Sequence, residues 1–169
     1  CGVLSNGSAY CWGAGGSGRL GYGGTTQQNN PIAVNISDTF VVISFSITSF
    51  GHTCGVLSNG SAYCWGAGGS GRLGYGGTSN QLNPIAVNSS NTFISITSGS
   101  IYSCGIISNG SAMCWGSGTG GQLGDGLGVS SNNPVYVNTT NTFNTLSAGN
   151  SHSCGIISNG SAMCWGSGT

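Results

Sequence analysis

Cys1-Gly-Val-Leu-Ser-Asn-Gly-Ser-Ala-Tyr-Cys-Trp-Gly13 is written four times in this chain. It returns unchanged at Cys54, and as Cys-Gly-Ile-Ile-Ser-Asn-Gly-Ser-Ala-Met-Cys-Trp-Gly at Cys104 and Cys154. Successive starts are 53, 50 and 50 residues apart. A period of that size marks a stack or ring of one supersecondary unit. Counted from Cys1, the repeats cover residues 1–53, 54–103 and 104–153, with a partial repeat over 154–169. Residues that recur once per unit are read first as structural.

Within the motif, two apolar or small runs flank Ser5-Asn6-Gly7, and Asn-Gly is the strongest short hairpin signal. A two-residue Asn-Gly loop would set Cys1 opposite Trp12. A three-residue Ser-Asn-Gly loop, with Gly7 left-handed in a bulge, sets Cys1 opposite Cys11 at a Cα separation of about 5.5 Å, within bonding reach. The eight cysteines are all spaced C-x9-C, which suits neither a zinc site nor a redox motif. They are read as four local disulfides, Cys1–Cys11, Cys54–Cys64, Cys104–Cys114 and Cys154–Cys164, hence an oxidising compartment. Four pairs of small buried hydrophobes are the alternative.

A glycine-rich stretch follows each hairpin, as in Gly66-Ala-Gly-Gly-Ser-Gly-Arg-Leu-Gly-Tyr-Gly-Gly77, and reads as loop. Asn83-Pro84 then starts a strand over residues 85–87, since proline is tolerated at a strand start. A fourth strand follows Phe93. Its counterpart in the first unit alternates, with Ile43, Phe45 and Ile47 on one face and Ser44, Ser46 and Thr48 on the other, which predicts a half-buried strand. The three extra residues of the first unit lie between Asn35 and Cys54. Nothing reads as helix. Four antiparallel strands per repeat of about 50 residues predict an all-β chain of propeller blades, a partial propeller or an open array. A β-solenoid is the competitor, but its coils are usually shorter.

Arg19, Arg72, Asp38 and Asp125 are the whole charged set, and the net charge is zero. No basic patch exists to bind a phosphate backbone, so no nucleic-acid partner is expected. A neutral surface is poorly soluble unless something solvates it or it assembles. Sugar is the expected solvent-facing group: Asn-x-Ser/Thr acceptors stand at Asn6, Asn35, Asn59, Asn88, Asn109, Asn138 and Asn159. Among them Asn35, Asn88 and Asn138, entering a turn after the proline strand, are expected to be the best acceptors. No apolar run is long enough to span a bilayer, so no membrane insertion is expected in this segment. Both ends fall inside a repeat, so a window of a longer protein is expected.

His152-Ser153-Cys154, Asn109-Gly110, Cys114-Trp115-Gly116, Gly121-Gln122-Leu123-Gly124-Asp125-Gly126 and Pro134-Val-Tyr-Val137 together resemble the regulator of chromosome condensation (RCC1) repeat family, in its secreted, cysteine-containing branch. The resemblance covers essentially the whole chain. It implies an RCC1-like β-propeller, seven-bladed in the family, for which this period would need roughly 350 residues. It also implies that His52 and His152 brace the blade. Two departures stand out: Tyr102 replaces the histidine of that lead-in, and Gly18-Arg-Leu-Gly-Tyr22 and Gly71-Arg-Leu-Gly-Tyr75 depart from Gly-Gln-Leu-Gly-Asp.

No catalytic, cofactor-binding or metal residue is assigned. Gly13-Ala-Gly-Gly-Ser-Gly18 matches G-x-G-x-x-G, but a dinucleotide site needs a parallel strand before it and a helix after it. Trp12, Trp65, Trp115 and Trp165 could be sugar-stacking platforms, yet their recurrence beside the cysteines favours core packing. The reading is a non-enzymatic extracellular structural repeat protein, a glycosylated component of a fibril or surface assembly that self-associates through its repeated blades. The alternative is a recognition ectodomain, as in the plant receptor-kinase propellers that this branch resembles. The nucleotide-exchange role of the family's founder is opposed by the cysteines, the sequons and the missing charge.

Overall fold

The structure, a computed structural model, describes residues 1–48 and 51–168; Ser49, Phe50 and Thr169, which fall inside the predicted repeats, lie outside the described residues. Among the described residues there are fourteen strands in four antiparallel sheets, joined by turns. The first sheet holds β1 (Gly2–Val3), β2 (Ala9–Gly13) and β3 (Gln28–Ala33). The second holds β4 (Phe40–Phe45), β5 (His52–Leu57), β6 (Ala62–Gly66) and β7 (Gln81–Ala86). The third holds β8 (Phe93–Ser98), β9 (Tyr102–Ile107), β10 (Ala112–Gly116) and β11 (Ser131–Tyr136). The fourth holds β12 (Phe143–Ala148), β13 (His152–Ile157) and β14 (Ala162–Gly166). Each is an up-and-down blade, so the phenylalanine strand that ends one sequence period pairs with the cysteine hairpin that opens the next. The first two glycine stretches predicted as loop each contain one 3₁₀ turn, Gly16–Gly18 and Gly69–Gly71, and the third contains turns and bends alone.

The hairpins have the expected three-residue loops. Leu57 and Ser61 close the loop by Leu57 N–H to Ser61 O at 2.9 Å, and Gly60 takes the left-handed conformation at φ +83°. Cys54 therefore stands opposite Cys64, Cys104 opposite Cys114 and Cys154 opposite Cys164. All four pairs, Cys1–Cys11 included, are disulfides. Their Cα atoms lie 4.0–4.1 Å apart, nearer than the separation expected above. Such a distance belongs to the narrow, non-hydrogen-bonded kind of antiparallel pair.

Two strand readings are corrected. The proline strand starts three residues early, at Gln81 rather than at Pro84. β7 is the outermost strand, and its register steps from Cys64↔Ile85 to Gly66↔Gln81, so a bulge carries Pro84 past the ladder without needing its missing N–H. The phenylalanine strand is not half-buried with one face in water. β4, β8 and β12 are the innermost strands, and they lie against one another. Both faces look at neighbouring blades: Val42 packs on the core shared with the third blade, and Ile43 on the core shared with the first. Phe45 and Ile47 are nevertheless exposed, while Ser46 is buried. The described first blade has three strands and no described counterpart of β4.

The cores lie between blades rather than within them. One unites Leu20, Val34, Phe40, Leu57 and Trp65 of the first two blades. The next unites Val56, Leu73, Val87, Phe93 and Trp115 of the second and third. The last unites Ile106, Leu123, Val137 and Phe143 of the third and fourth. A blade of this chain cannot bury its apolar faces alone, which is the physics of a repeat stack.

Candidate functional site

What recurs with atomic fidelity is the joint between successive blades. The Gly-x-Leu-Gly loop of one blade sits on the tryptophan of the next. A Cβ added at Gly21 would lie 2.6 Å from Trp65 Nε1, at Gly74 2.7 Å from Trp115, and at Gly124 2.6 Å from Trp165 Nε1. On its other side each tryptophan meets its own blade's inner phenylalanine: Phe40–Trp65 at 5.7 Å, Phe93–Trp115 at 5.9 Å and Phe143–Trp165 at 5.7 Å between centroids. The indole is thus clamped between a ring and a loop with no side chains in the way. Trp65 and Trp115 are fully buried and so cannot stack on sugar, whereas Trp12 is half exposed.

One carbonyl organises each joint. Arg19 O accepts Thr53 Oγ1–H at 2.9 Å and Trp65 Nε1–H at 3.0 Å. Gln122 O accepts Ser153 Oγ–H at 3.0 Å and Trp165 Nε1–H at 3.0 Å. At the middle joint Arg72 O accepts Ser103 Oγ–H at 2.9 Å, and Trp115 Nε1 is buried with no acceptor among the described residues. The non-family arginines also reach across: Arg19 Nη1 donates to Thr48 O and Arg72 Nη1 to Ser100 O, at 3.2 and 3.3 Å. Gln122 instead folds back to its own loop, where Gly120 N–H donates to its Oε1 at 2.8 Å.

The lead-in position adds a second tie. His52 is buried, and its Nε2 bonds Ser103 Oγ of the next blade at 2.7 Å. Burial, with the Arg72 guanidinium adding repulsion, pushes its pKa from 6.5 down to about 3, so the imidazole is neutral. Tyr102 does the same work one blade on: its OH donates to His152 O, accepts Gly149 N–H at 3.1 Å and lies 2.9 Å from Ser153 Oγ. Burial raises the Tyr102 pKa, so the phenol stays protonated. The tyrosine fits because Gly99 stands where the second blade has Ser46; both backbones bond the lead-in carbonyl, and a Cβ on Gly99 would lie 2.5 Å from the phenol ring. His152, exposed on the fourth blade, makes no such bridge among the described residues.

Inner strands are stitched as well. Ser44 Oγ accepts Ser98 N–H at 3.0 Å, and Thr97 Oγ1 accepts Ala148 N–H at 3.2 Å. Beside them a cavity of about 500 Å³ opens among the ends of β4, β8 and β12, lined by Ser and Thr hydroxyls with Phe45, Ile47 and Asn150. Ile47 and Thr48 of the lining belong to the one segment that is longer in the first sequence period: five residues separate Ser46 from His52, against two between Gly99 and Tyr102. Nothing in the hydroxyl pattern of the sequence distinguishes these tying groups from ordinary surface serines and threonines; only their meeting across the joint does.

The described residues hold no cluster of three or more His, Cys, Asp or Glu side chains able to grip a metal. The G-x-G-x-x-G stretch follows a strand of an antiparallel sheet, and its amides bond the loop's own carbonyls, Gly18 N–H to Gly15 O at 3.0 Å and Gly21 N–H to Gly18 O at 2.9 Å. Among the described residues no helix is long and apolar enough to cross a membrane.

A chain of three- and four-stranded antiparallel blades, joined by a glycine loop over the next tryptophan, is an RCC1-like propeller segment. The regulator of chromosome condensation (RCC1) repeat matches residues 6–54, 59–106 and 109–156, and the chain belongs to that family. It is 36% identical over 90 residues to the probable E3 ubiquitin-protein ligase HERC4 of Homo sapiens, covering 50% of this chain and 8% of that protein. It superimposes on human WBSCR16 with a TM-score of 0.84 at 20% identity, over 97% of this chain and 44% of that one, a likeness of fold alone. The ectodomain of the Physcomitrella patens receptor kinase CR4 matches with a TM-score of 0.52 at 25% identity, over 81% of this chain and 33% of that one.

Proposed function

We propose that this chain is a non-enzymatic structural repeat of an extracellular protein, a glycosylated component of a fibril or surface assembly that works by stacking equivalent blades. The observation that carries it is the sameness of the joint. Arg19 O, Arg72 O and Gln122 O each receive the hydroxyl of the next blade's lead-in residue, from Thr53, Ser103 and Ser153. When every interface is the same interface, stability grows with repeat number and no blade is specialised. Four disulfides in the hairpins favour an oxidising compartment, and the near-absence of charge favours packing over repulsion. Electron microscopy of the full chain, purified oxidised, tests the reading: filaments or polydisperse stacks are expected. A monodisperse monomer at high concentration would sink it.

A second reading, a recognition ectodomain, is favoured by one observation. Ile47 and Thr48, in the one segment that is longer than its counterparts in the other periods, line the cavity with Phe45, and Phe45 and Ile47 are exposed. The likeness to a receptor-kinase ectodomain supports it. Monomeric behaviour, with a partner captured through Phe45 and lost on Phe45→Ser, would favour this reading instead.

A further inference from the structure

The seven Asn-x-Ser/Thr asparagines fall into two sets whose side chains are held in opposite ways. At the hairpin tips the amide oxygen is the engaged atom. Asn6 Oδ1 accepts Ser8 N–H at 3.0 Å, and Asn59, Asn109 and Asn159 accept from Ser61, Ser111 and Ser161 at 2.9 Å. A backbone N–H can only be met by the oxygen, so this bond turns Nδ2 outward. All four residues are exposed, and none of the four nitrogens has a hydrogen-bond partner among the described residues.

After the outermost strand the engaged atom is the nitrogen. Asn35 Nδ2 donates to Asn83 Oδ1 at 2.9 Å, and Asn88 Nδ2 to Asn133 Oδ1 at 2.8 Å. Each acceptor is the asparagine before the proline of the next blade. The backbones alongside are already tied, by Gly23 N–H to Leu82 O and Gly76 N–H to Asn132 O, both at 3.0 Å. A pyranose on Nδ2 would remove one of its two hydrogens and set a ring beside that closed seam. Asn138 occupies the same place in the third blade but has no such partner among the described residues.

We infer that the two sets do different jobs. Asn6, Asn59, Asn109 and Asn159 are the sugar acceptors, and Asn35 and Asn88 stay bare as amide clamps that hold neighbouring blades in register at the rim. This rests on the reading of the chain as a secreted glycoprotein and reverses the order of acceptors expected from the sequence. Sugar transfer acts on the unfolded chain, so the bare state belongs to the folded, secreted fraction, from which chains modified at the clamp are lost because their blades stack poorly.

The test has two arms. The full chain is secreted from a eukaryotic host, and site occupancy is mapped by mass spectrometry of its peptides. Sugar at Asn59, Asn109 and Asn138, with Asn35 and Asn88 bare, is expected; Asn138 is the internal control, since it shares their sequence position without their partner. Asn35 and Asn88 occupied like the tips would overturn the assignment. All sites bare would overturn the acceptor half together with the glycoprotein reading. The clamp is judged separately on oxidised, sugar-free protein. Asn83→Ala and Asn133→Ala should lower the urea midpoint, and Asn59→Gln and Asn109→Gln should leave it unchanged. Unchanged midpoints for the first pair would overturn the clamp whatever the glycan map shows.

Discussion

Residues 1–25 and 54–78 are the same twenty-five amino acids, and they live in different surroundings. Trp65 is 0% exposed and Trp12 is 49% exposed; Leu57 is 2% exposed and Leu4 is 52%. Nothing local separates the two copies, because both form the hairpin with its disulfide. The second copy has a glycine loop laid over its indole by the blade before it, and a complete blade around it. Burial in this molecule is therefore a property of the joint and not of the segment. The hairpin is a covalently closed part, and the joint turns it into core.

The sharpest way to break that comparison is to delete the same residue in both copies. Trp65→Ala should cost about 3–5 kcal/mol, the range for a large aromatic removed from a core. Trp12→Ala should cost about 1 kcal/mol or less, as for surface changes. Urea unfolding followed by hydrogen exchange in each hairpin reads both. Equal losses would mean that the joint is not where the stability resides.

The joint can also be attacked from its glycine side. Gly74→Ala puts a Cβ 2.7 Å from Trp115 at a φ of +73°, and the combined overpacking and left-handed strain should cost about 2–4 kcal/mol. Gly128→Ala meets nothing within 4 Å at a φ of +65°, so it carries the backbone penalty alone, about 1 kcal/mol. The difference between the two in denaturant midpoint isolates the indole contact. If they match, the loop does not need its bare backbone.

Acid should loosen the joint made through His52 and spare the one made through Tyr102. The folded pKa of His52 lies near 3, below its unfolded value of 6.5, so the unfolded chain takes up the proton first. Stability is then complete above pH 6.5 and is lost as pH falls toward the folded value. Between pH 7 and 4.5 the loss should approach about 2–3 kcal/mol. His52→Gln, which keeps a hydrogen-bonding group for Ser103 but does not titrate, should flatten that limb of the stability curve. A wild-type curve already flat over this range would show that His52 opens to water before it matters.

Much of the fold was readable because its signals are local. The Ser-Asn-Gly loop and the C-x9-C spacing constrain each other within a dozen residues, and the hairpin register follows. Elsewhere local reading went astray for stated reasons. Ile43, Phe45 and Ile47 alternate with Ser44, Ser46 and Thr48, yet Ser46 is buried while Phe45 and Ile47 are exposed, because alternation cannot tell which face meets a second blade. Pro84 looks like a strand boundary, yet an outer edge with a bulge tolerates it inside. Tyr102 looked like a lost histidine, and its equivalence depends on Gly99, which no motif links to it. The tying serines and threonines carry no signal of their own, because their partner is a carbonyl some thirty residues away in sequence.

The sequence by itself determined the repeat, the hairpin, its disulfide and the family, since each is encoded within one period. Tertiary structure alone decided which of two identical tryptophans is core, and which exposed asparagines bond an asparagine of the next blade. Those outcomes depend on what stands across a joint. Identical repeats write the same residues on both sides of it, so only the packing of one blade on the next gives them different environments.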